Sequence, residues 1–246
     1  MSNIISTLLI VTAIFTKNLY LIILVYFLSL TLTRLYFYFL TVKKYKSNDN
    51  NDPQTIPYGK HLSLMNILAT VALYIDKLLV FHLLGASALA VYLIALAPIE
   101  QFRGTVKIFG VLALPKFSQN NFEETRRTIF KKIYKLDFLM LIIALIYILV
   151  CPYFFGLFFP KYLPSIFYSQ LLSLTLVLSS PVIILNSLLQ SQQKTKELYS
   201  YSIFTSLFQI AVLFIFGYLF GLVGIIASRF VSNLFNLVYS RQLIKK

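Results

Sequence analysis

Six charged residues lie deep inside three apolar runs. Asp76 and Lys77 fall within residues 62–84, Glu100, Arg103 and Lys107 within 87–114, and Arg229 within 222–243. Each run can cross a bilayer, since about 20 apolar residues rising about 1.5 Å each span a hydrocarbon core of roughly 30 Å. A charge at that depth is costly unless it faces a bundle interior, a watery cavity or a partner. The chemistry open to such groups is the binding and movement of a charged species. Glu100, Arg103 and Lys107 are spaced i, i+3 and i+7, which puts them within roughly 60° of one helix face at about 100° per residue. The stripe either walls a cationic cavity or is satisfied locally, with Glu100 on Arg103 and Lys107 snorkelling to the headgroups. Asp76 and Lys77 are neighbours and point about 100° apart, so at least one needs a partner on another helix. By helical rise, Asp76 sits about 21 Å up its span and Arg229 about 12 Å in from the opposite face. Both fall in the outer half of the bilayer, so Arg229 is the first candidate partner and Lys107, by depth, the second; the contact is a salt bridge, a shared substrate site or the neighbourhood of a coupling cation. Arg103, Arg229, Lys77 and Glu100 are the candidate substrate-binding residues. Asp76 is the candidate coupling or structural carboxylate.

Little else in the chain points to chemistry. The single cysteine, Cys151, reads as a small buried hydrophobe. His61 and His82 lack metal-ligand spacing, and no phosphate loop, HExxH or GxSxG is present. No metal, cofactor or catalytic centre is expected. Hydrophobic residues make up 59% and charged residues 12%, against about 25% charged in a soluble domain. The net charge of +14 does not imply nucleic acid, because most basic residues occupy short loops rather than a stripe on a soluble fold. The partners implied are membrane lipids.

The elements that must position these residues are helices. Eight spans are expected, at 3–16, 18–40, 62–84, 87–114, 136–156, 165–190, 199–219 and 222–243. The fold class is an all-α polytopic transmembrane helix bundle. Pro98 and Pro181 are expected kinks, tolerated in membrane helices. Residues 47–58 (SNDNNDPQTIPY) form a polar break. It sets three regions: two helices in 1–41, a cytoplasmic linker in 42–60, and a six-helix lobe in 61–246. Alternate loops and the C-terminus carry fifteen basic residues on one side and two, Lys17 and Lys161, on the other. The positive-inside rule then places both termini in the cytoplasm. Residues 119–137 order acidic before basic side chains, with Phe122, Ile129, Phe130, Ile133 and Leu136 on one side. They read either as an amphipathic helix on the cytoplasmic leaflet or as a solvated lead into the fifth span. Tyr20, Tyr36, Tyr38, Tyr162, Tyr201 and Tyr239 lie near span ends and read as interfacial anchors.

Four segments together carry a family resemblance. They are YIDKLLVFHLLGASALAVYLIALAP (74–98), LALPKFSQ (112–119), LFFPKYLPSIFYSQLLSL (157–174) and GLVGIIASRFVSNLFN (221–236). In this order the chain resembles, over about residues 18–246, the C-terminal half of polysaccharide biosynthesis proteins of the oligosaccharide flippase type. These belong to the multidrug/oligosaccharidyl-lipid/polysaccharide exporter superfamily. Asp76, followed by a basic residue, and Leu114–Pro115 match family positions. The resemblance implies two six-helix lobes around a central cavity and export of lipid-linked oligosaccharide to the outer leaflet. It implies the inner membrane of a prokaryote and rocking of two lobes. It also implies about four helices before residue 1, so a missing N-terminal lobe or a second chain is the expected partner. A lone lobe would expose its polar face to lipid and is not expected to transport.

The first expectation is therefore a flippase for lipid-linked oligosaccharide, whole or truncated, and not an enzyme. A drug or small-molecule cation antiporter of the same fold is the second, and a membrane-embedded glycan polymerase the third. The polymerase should show paired carboxylates or a large outer loop, and neither is present. The topology makes a direct prediction, checked in a Cys151→Ser background. Lys44→Cys and Lys131→Cys should resist an impermeant thiol reagent added outside, and Lys161→Cys should react. Labelling at Lys44→Cys from outside would overturn the orientation.

Overall fold

The computed structural model describes residues 18–45, 55–119, 122–192 and 194–245, and every regular element in them is helical. The helices are α1 (Leu19–Lys44), α2 (Thr55–Gln119), α3 (Phe122–Phe158), α4 (Ser165–Ser191) and α5 (Thr195–Lys245), with a 3₁₀ turn at Pro160–Tyr162 between α3 and α4. All five long helices are apolar enough to cross a membrane. The chain is an all-α transmembrane bundle and a multi-pass membrane protein. The expected span at 3–16 lies outside the described residues.

The α2 helix has 65 residues, so a straight one would run to about 98 Å, some three bilayers. It doubles back instead. Gly85 has φ 85° and ψ 176°, a backbone that glycine adopts without a Cβ clash. Tyr92 Oη consequently reaches Asp76 Oδ2 at 2.6 Å, where sixteen residues of straight helix would hold them about 24 Å apart. The same device folds α5 at Gly221, with φ 56° and ψ −134°. The Phe208 ring stacks on Phe235 at 4.0 Å, and the Ser200 and Tyr239 hydroxyls meet at 2.5 Å. The two limbs come closest at Gly224, where a Cβ would lie 1.9 Å from the Phe216 carbonyl oxygen and 2.9 Å from Phe220 Cβ.

Polar side chains bonded to carbonyls of the neighbouring helix set the register. Ser165 Oγ donates to Val91 O at 3.0 Å and Ser169 Oγ to Ala95 O at 2.8 Å. Both pairs are 74 residues apart, so α4 runs parallel to the second limb of α2. Ser202 Oγ donates to Met65 O at 3.0 Å and Gln209 Nε2 to Ala72 O at 2.8 Å, each across 137 residues. The first limbs of α2 and α5 are therefore parallel as well. Tyr147 meets Ser169 at 2.6 Å and Cys151 Sγ reaches Ile166 O at 4.0 Å, so partners rise along α3 as they fall along α4 and the two helices are antiparallel. Small hydroxyls suit this role, because they let backbones approach and still find partners where water is absent. The α4 helix is the most buried of the five and touches α2, α3 and α5.

The chain divides into two compact units, residues 1–54 and residues 55–246. In the first, Asn18 caps α1 by accepting from the Tyr20 and Leu21 amides at 3.0 and 3.4 Å. Ser29 and Thr33 are buried, one turn apart on α1. The second unit holds two hydrophobic clusters. One gathers around Leu185, Leu188 and Ile244, the other around Tyr92, Ile99, Leu172 and Ile225.

Several expectations gain detail. Residues 55–60, expected in the linker, begin α2, because Pro57 in a first turn costs no hydrogen bond. Pro98 and Pro181 lie inside α2 and α4, and the non-helical residues within α2 and α5 are the glycines at the hairpin tips. The segment 122–137 is continuous with α3, and Ile129 and Ile133 are buried in the first protein cluster rather than turned to lipid. Tyr201 packs on that cluster, and Tyr239 stacks on Phe235. Cys151 is buried and free. The hairpins predict that Gly224→Ala lowers stability by more than about 2 kcal/mol, the range of overpacked cores. Gly59→Ala, with nothing within 4 Å of its Cβ, should be neutral. Thermal unfolding in detergent checks both, and equal midpoints would refute the close approach.

Candidate functional site

The two limbs of α2 and the second limb of α5 bring four of the sequence-selected charges together. Arg229 is the centre. Its Nε donates to Asp76 Oδ2 at 3.1 Å, and its Nη2 makes a second, shorter contact to the same oxygen. Its Nη1 donates to Glu100 Oε1 at 3.4 Å. Arg103 Nη1 donates to that Glu100 oxygen at 3.0 Å, and Arg103 Nη2 reaches Thr175 Oγ1 on α4 at 3.5 Å. Tyr92 completes the group by donating to Asp76 Oδ2 at 2.6 Å, with its ring 5.7 Å from the Arg229 guanidinium carbon. The side chains of Asp76 and Arg229 are 3% and 9% exposed, so neither charge can rely on solvent.

The local reasons lie in the helices. Glu100 and Arg103 pair because i and i+3 share a face. Asp76 can reach Arg229 and Tyr92 only because Gly85 folds α2 on itself and Gly221 returns α5 alongside. Charge-assisted bonds from a planar guanidinium are among the stronger ones a protein makes. Two carboxylates and two guanidiniums leave the cluster formally neutral.

Beside this cluster is a cavity of about 240 Å³. Arg103, Arg229 and Lys107 border it, with Gln209, Asn233 and Asn236 adding amides. Several polar atoms here have no protein partner among the described residues: Arg103 Nε, Ser232 Oγ, Asn233 Nδ2 and Asn236 Oδ1. Buried polar groups without partners are rare in folded proteins. In a membrane bundle they mark space that water or a polar ligand fills.

The other sequence-selected residues behave differently. Lys77 does not join the cluster. Its ammonium sits 4.4 Å from the Tyr74 ring centroid, and its backbone amide donates to Asp76 Oδ1 at 2.7 Å. Adjacency to Asp76 turned its side chain away, as helical spacing requires. Lys107 borders the cavity and has no ion-pair partner among the described residues. Sequence reasoning missed Tyr92, Thr175, Gln209, Asn233 and Asn236. One signal was available: Arg229, Ser232, Asn233, Asn236 and Ser240 repeat at helical spacing on one side of α5.

No protein family model and no curated protein matches the sequence. Solved structures do match the fold. A MATE in the straight conformation superposes with a TM-score of 0.66 at 17% identity, covering 99% of this chain and 62% of that one. A MATE in complex with MaD5 gives 0.62 at 17%, covering 99% and 60%. The chain thus spans about 62% of the length of the structure it matches. The chain shares the fold of these MATE structures, and the finer flippase assignment gains no support from them.

The geometry predicts a measurable coupling. Asp76→Asn or Arg229→Gln alone strands a buried charge and should cost about 3–5 kcal/mol. The double variant should recover part of that loss in a thermal or denaturant series in detergent. Strictly additive losses would show that the two are not paired.

Proposed function

We propose that this chain is a membrane transporter, or one lobe of it, that carries an anionic lipid-linked oligosaccharide from the cytoplasmic to the outer leaflet. One observation carries the reading. Arg103, Lys107 and Arg229, three of the charges that interrupt the apolar spans, border one polar cavity, and Asp76 is buried against Arg229. A bundle that needed only to be stable would gain from apolar residues at these positions, since a buried ion pair rarely exceeds a well-packed apolar contact. Arg103 and Lys107 suit a phosphate-bearing head, Arg103 because guanidinium recognises phosphate oxygens in bidentate fashion. The resemblance, together with a chain that spans about 62% of the matched structure, supports transport by a two-lobe assembly.

A second reading, a drug or small-molecule cation antiporter, is compatible with the MATE neighbours. Asp76 and Glu100 would be its cation-binding carboxylates. Against it, Arg229 already occupies Asp76 Oδ2 and bonds Glu100 Oε1. A cation entering there would have to displace a guanidinium.

The test is glycan export by cells carrying the full-length gene with altered residues. Arg103→Ala should reduce export at least about tenfold, equivalent to about 1.4 kcal/mol, with protein levels in the membrane unchanged. Arg229→Lys should retain insertion and lose most export. Normal export by the Arg103→Ala, Arg229→Lys double variant would exclude both residues and the reading with them.

A further inference from the structure

A second cavity, of about 330 Å³, adjoins the first, and Lys107 and Tyr201 border both. Its polar lining differs in kind. Asn66, Asn186 and Gln190 contribute amides, and Ser202 and Thr205 contribute hydroxyls, with Leu62, Met65 and Leu198 as apolar surface. Lys107 is its only formally charged side chain. The Ser202 hydrogen is committed to Met65 O and that of Thr205 to Tyr201 O, so both face the space as acceptors. Asn186 Oδ1 is buried and has no partner. Asn66 and Gln190 are exposed, which gives the cavity a mouth, and the Tyr58 hydroxyl binds the Gln190 carbonyl oxygen there at 3.0 Å.

Charge narrows the ligand. Asp76, Glu100, Arg103 and Arg229 balance one another. Lys107, at the join of the two cavities, has no ion-pair partner among the described residues. A free metal or organic cation would meet a like charge there, and a purely apolar molecule would strand Asn186. Amides both donate and accept from one side chain, as do the hydroxyls of a sugar. The volume lies near the low end of ligand pockets, about 300–1,000 Å³, enough for one sugar ring and not for a chain of them.

We propose that the second cavity is the seat of a glycosyl phosphate. Lys107 holds the phosphate at the join, and Asn66, Asn186 and Gln190 hold hydroxyls of the first sugar. This rests on the transporter reading above and names the part of the substrate that the lobe itself grips.

The test uses the full chain in lipid nanodiscs and calorimetric titration with two probes, a short polyprenyl phosphohexose and the same polyprenyl phosphate without sugar. The phosphohexose lipid should bind at least about tenfold more tightly. Asn186→Leu should erase that preference while the phosphate lipid still binds. Gln190→Leu, at the exposed mouth, should lower the preference with no risk to folding. Lys107→Gln should weaken both probes about tenfold and flatten their salt dependence. If the unaltered protein binds the phosphate lipid in a salt-dependent way with no preference for the sugar, the inference fails and the transporter reading stands. If neither lipid binds, both fail. A preference that survives Asn186→Leu and Gln190→Leu together also overturns the inference.

Discussion

The guanidinium of Arg229 is the interaction on which the interior depends. It is nearly inaccessible, and it bonds carboxylates from both limbs of α2, Asp76 before Gly85 and Glu100 after it. One side chain of α5 thereby ties together the two halves of a hairpin. Glu100 passes the link on to Arg103, and Arg103 to Thr175 on α4. Desolvating such charges is expensive, and their mutual attraction offsets this only when geometry and hydrogen bonding are good. Tyr92, donating to the oxygen that Arg229 grips, supplies part of that hydrogen bonding.

The rest of the second unit can be understood as what this network requires. Two helices too long for a bilayer must fold back, and Gly85 and Gly221 supply the positive-φ residues that allow it. Gly224 then lets the limbs of α5 touch, and serines on α4 lock it against α2 through backbone carbonyls. Those bonds hold α4 beside the network and leave the amides of α5 around open space. The apolar side chains outside, such as Leu149 at 73% exposure, meet lipid, which offers no hydrogen bonds and so confines the polar groups to the inside.

Much of this was legible in the sequence because membrane helices obey few rules. Span length and apolar runs located the helices, and a count of helical rise placed Asp76 and Arg229 in the same half of the bilayer. The failures have equally definite causes. Lys77 looked equivalent to Asp76 because both interrupt the same run, yet adjacency on a helix separates them. Tyr92 and Tyr201 carry amphipathic rings that serve an interface or an interior equally well, and only tertiary contacts decide between these. The cavities were invisible, since they depend on which faces of α2, α4 and α5 meet. The polar face of α5 from Arg229 to Ser240 was readable and signalled that side of the space.

The central claim is that the inside of this bundle is an aqueous, polar compartment rather than a dry core with a structural salt bridge. Ser232 is the position that decides it, being 3% exposed and without a partner on the cavity side. In a Cys151→Ser background, Ser232→Cys should be challenged in vesicles with a small charged thiosulfonate and with a membrane-soluble maleimide. The account predicts reaction with the charged reagent, slowed by a bound anionic lipid. Reaction with the maleimide alone, as expected of a thiol facing hydrocarbon, would contradict it.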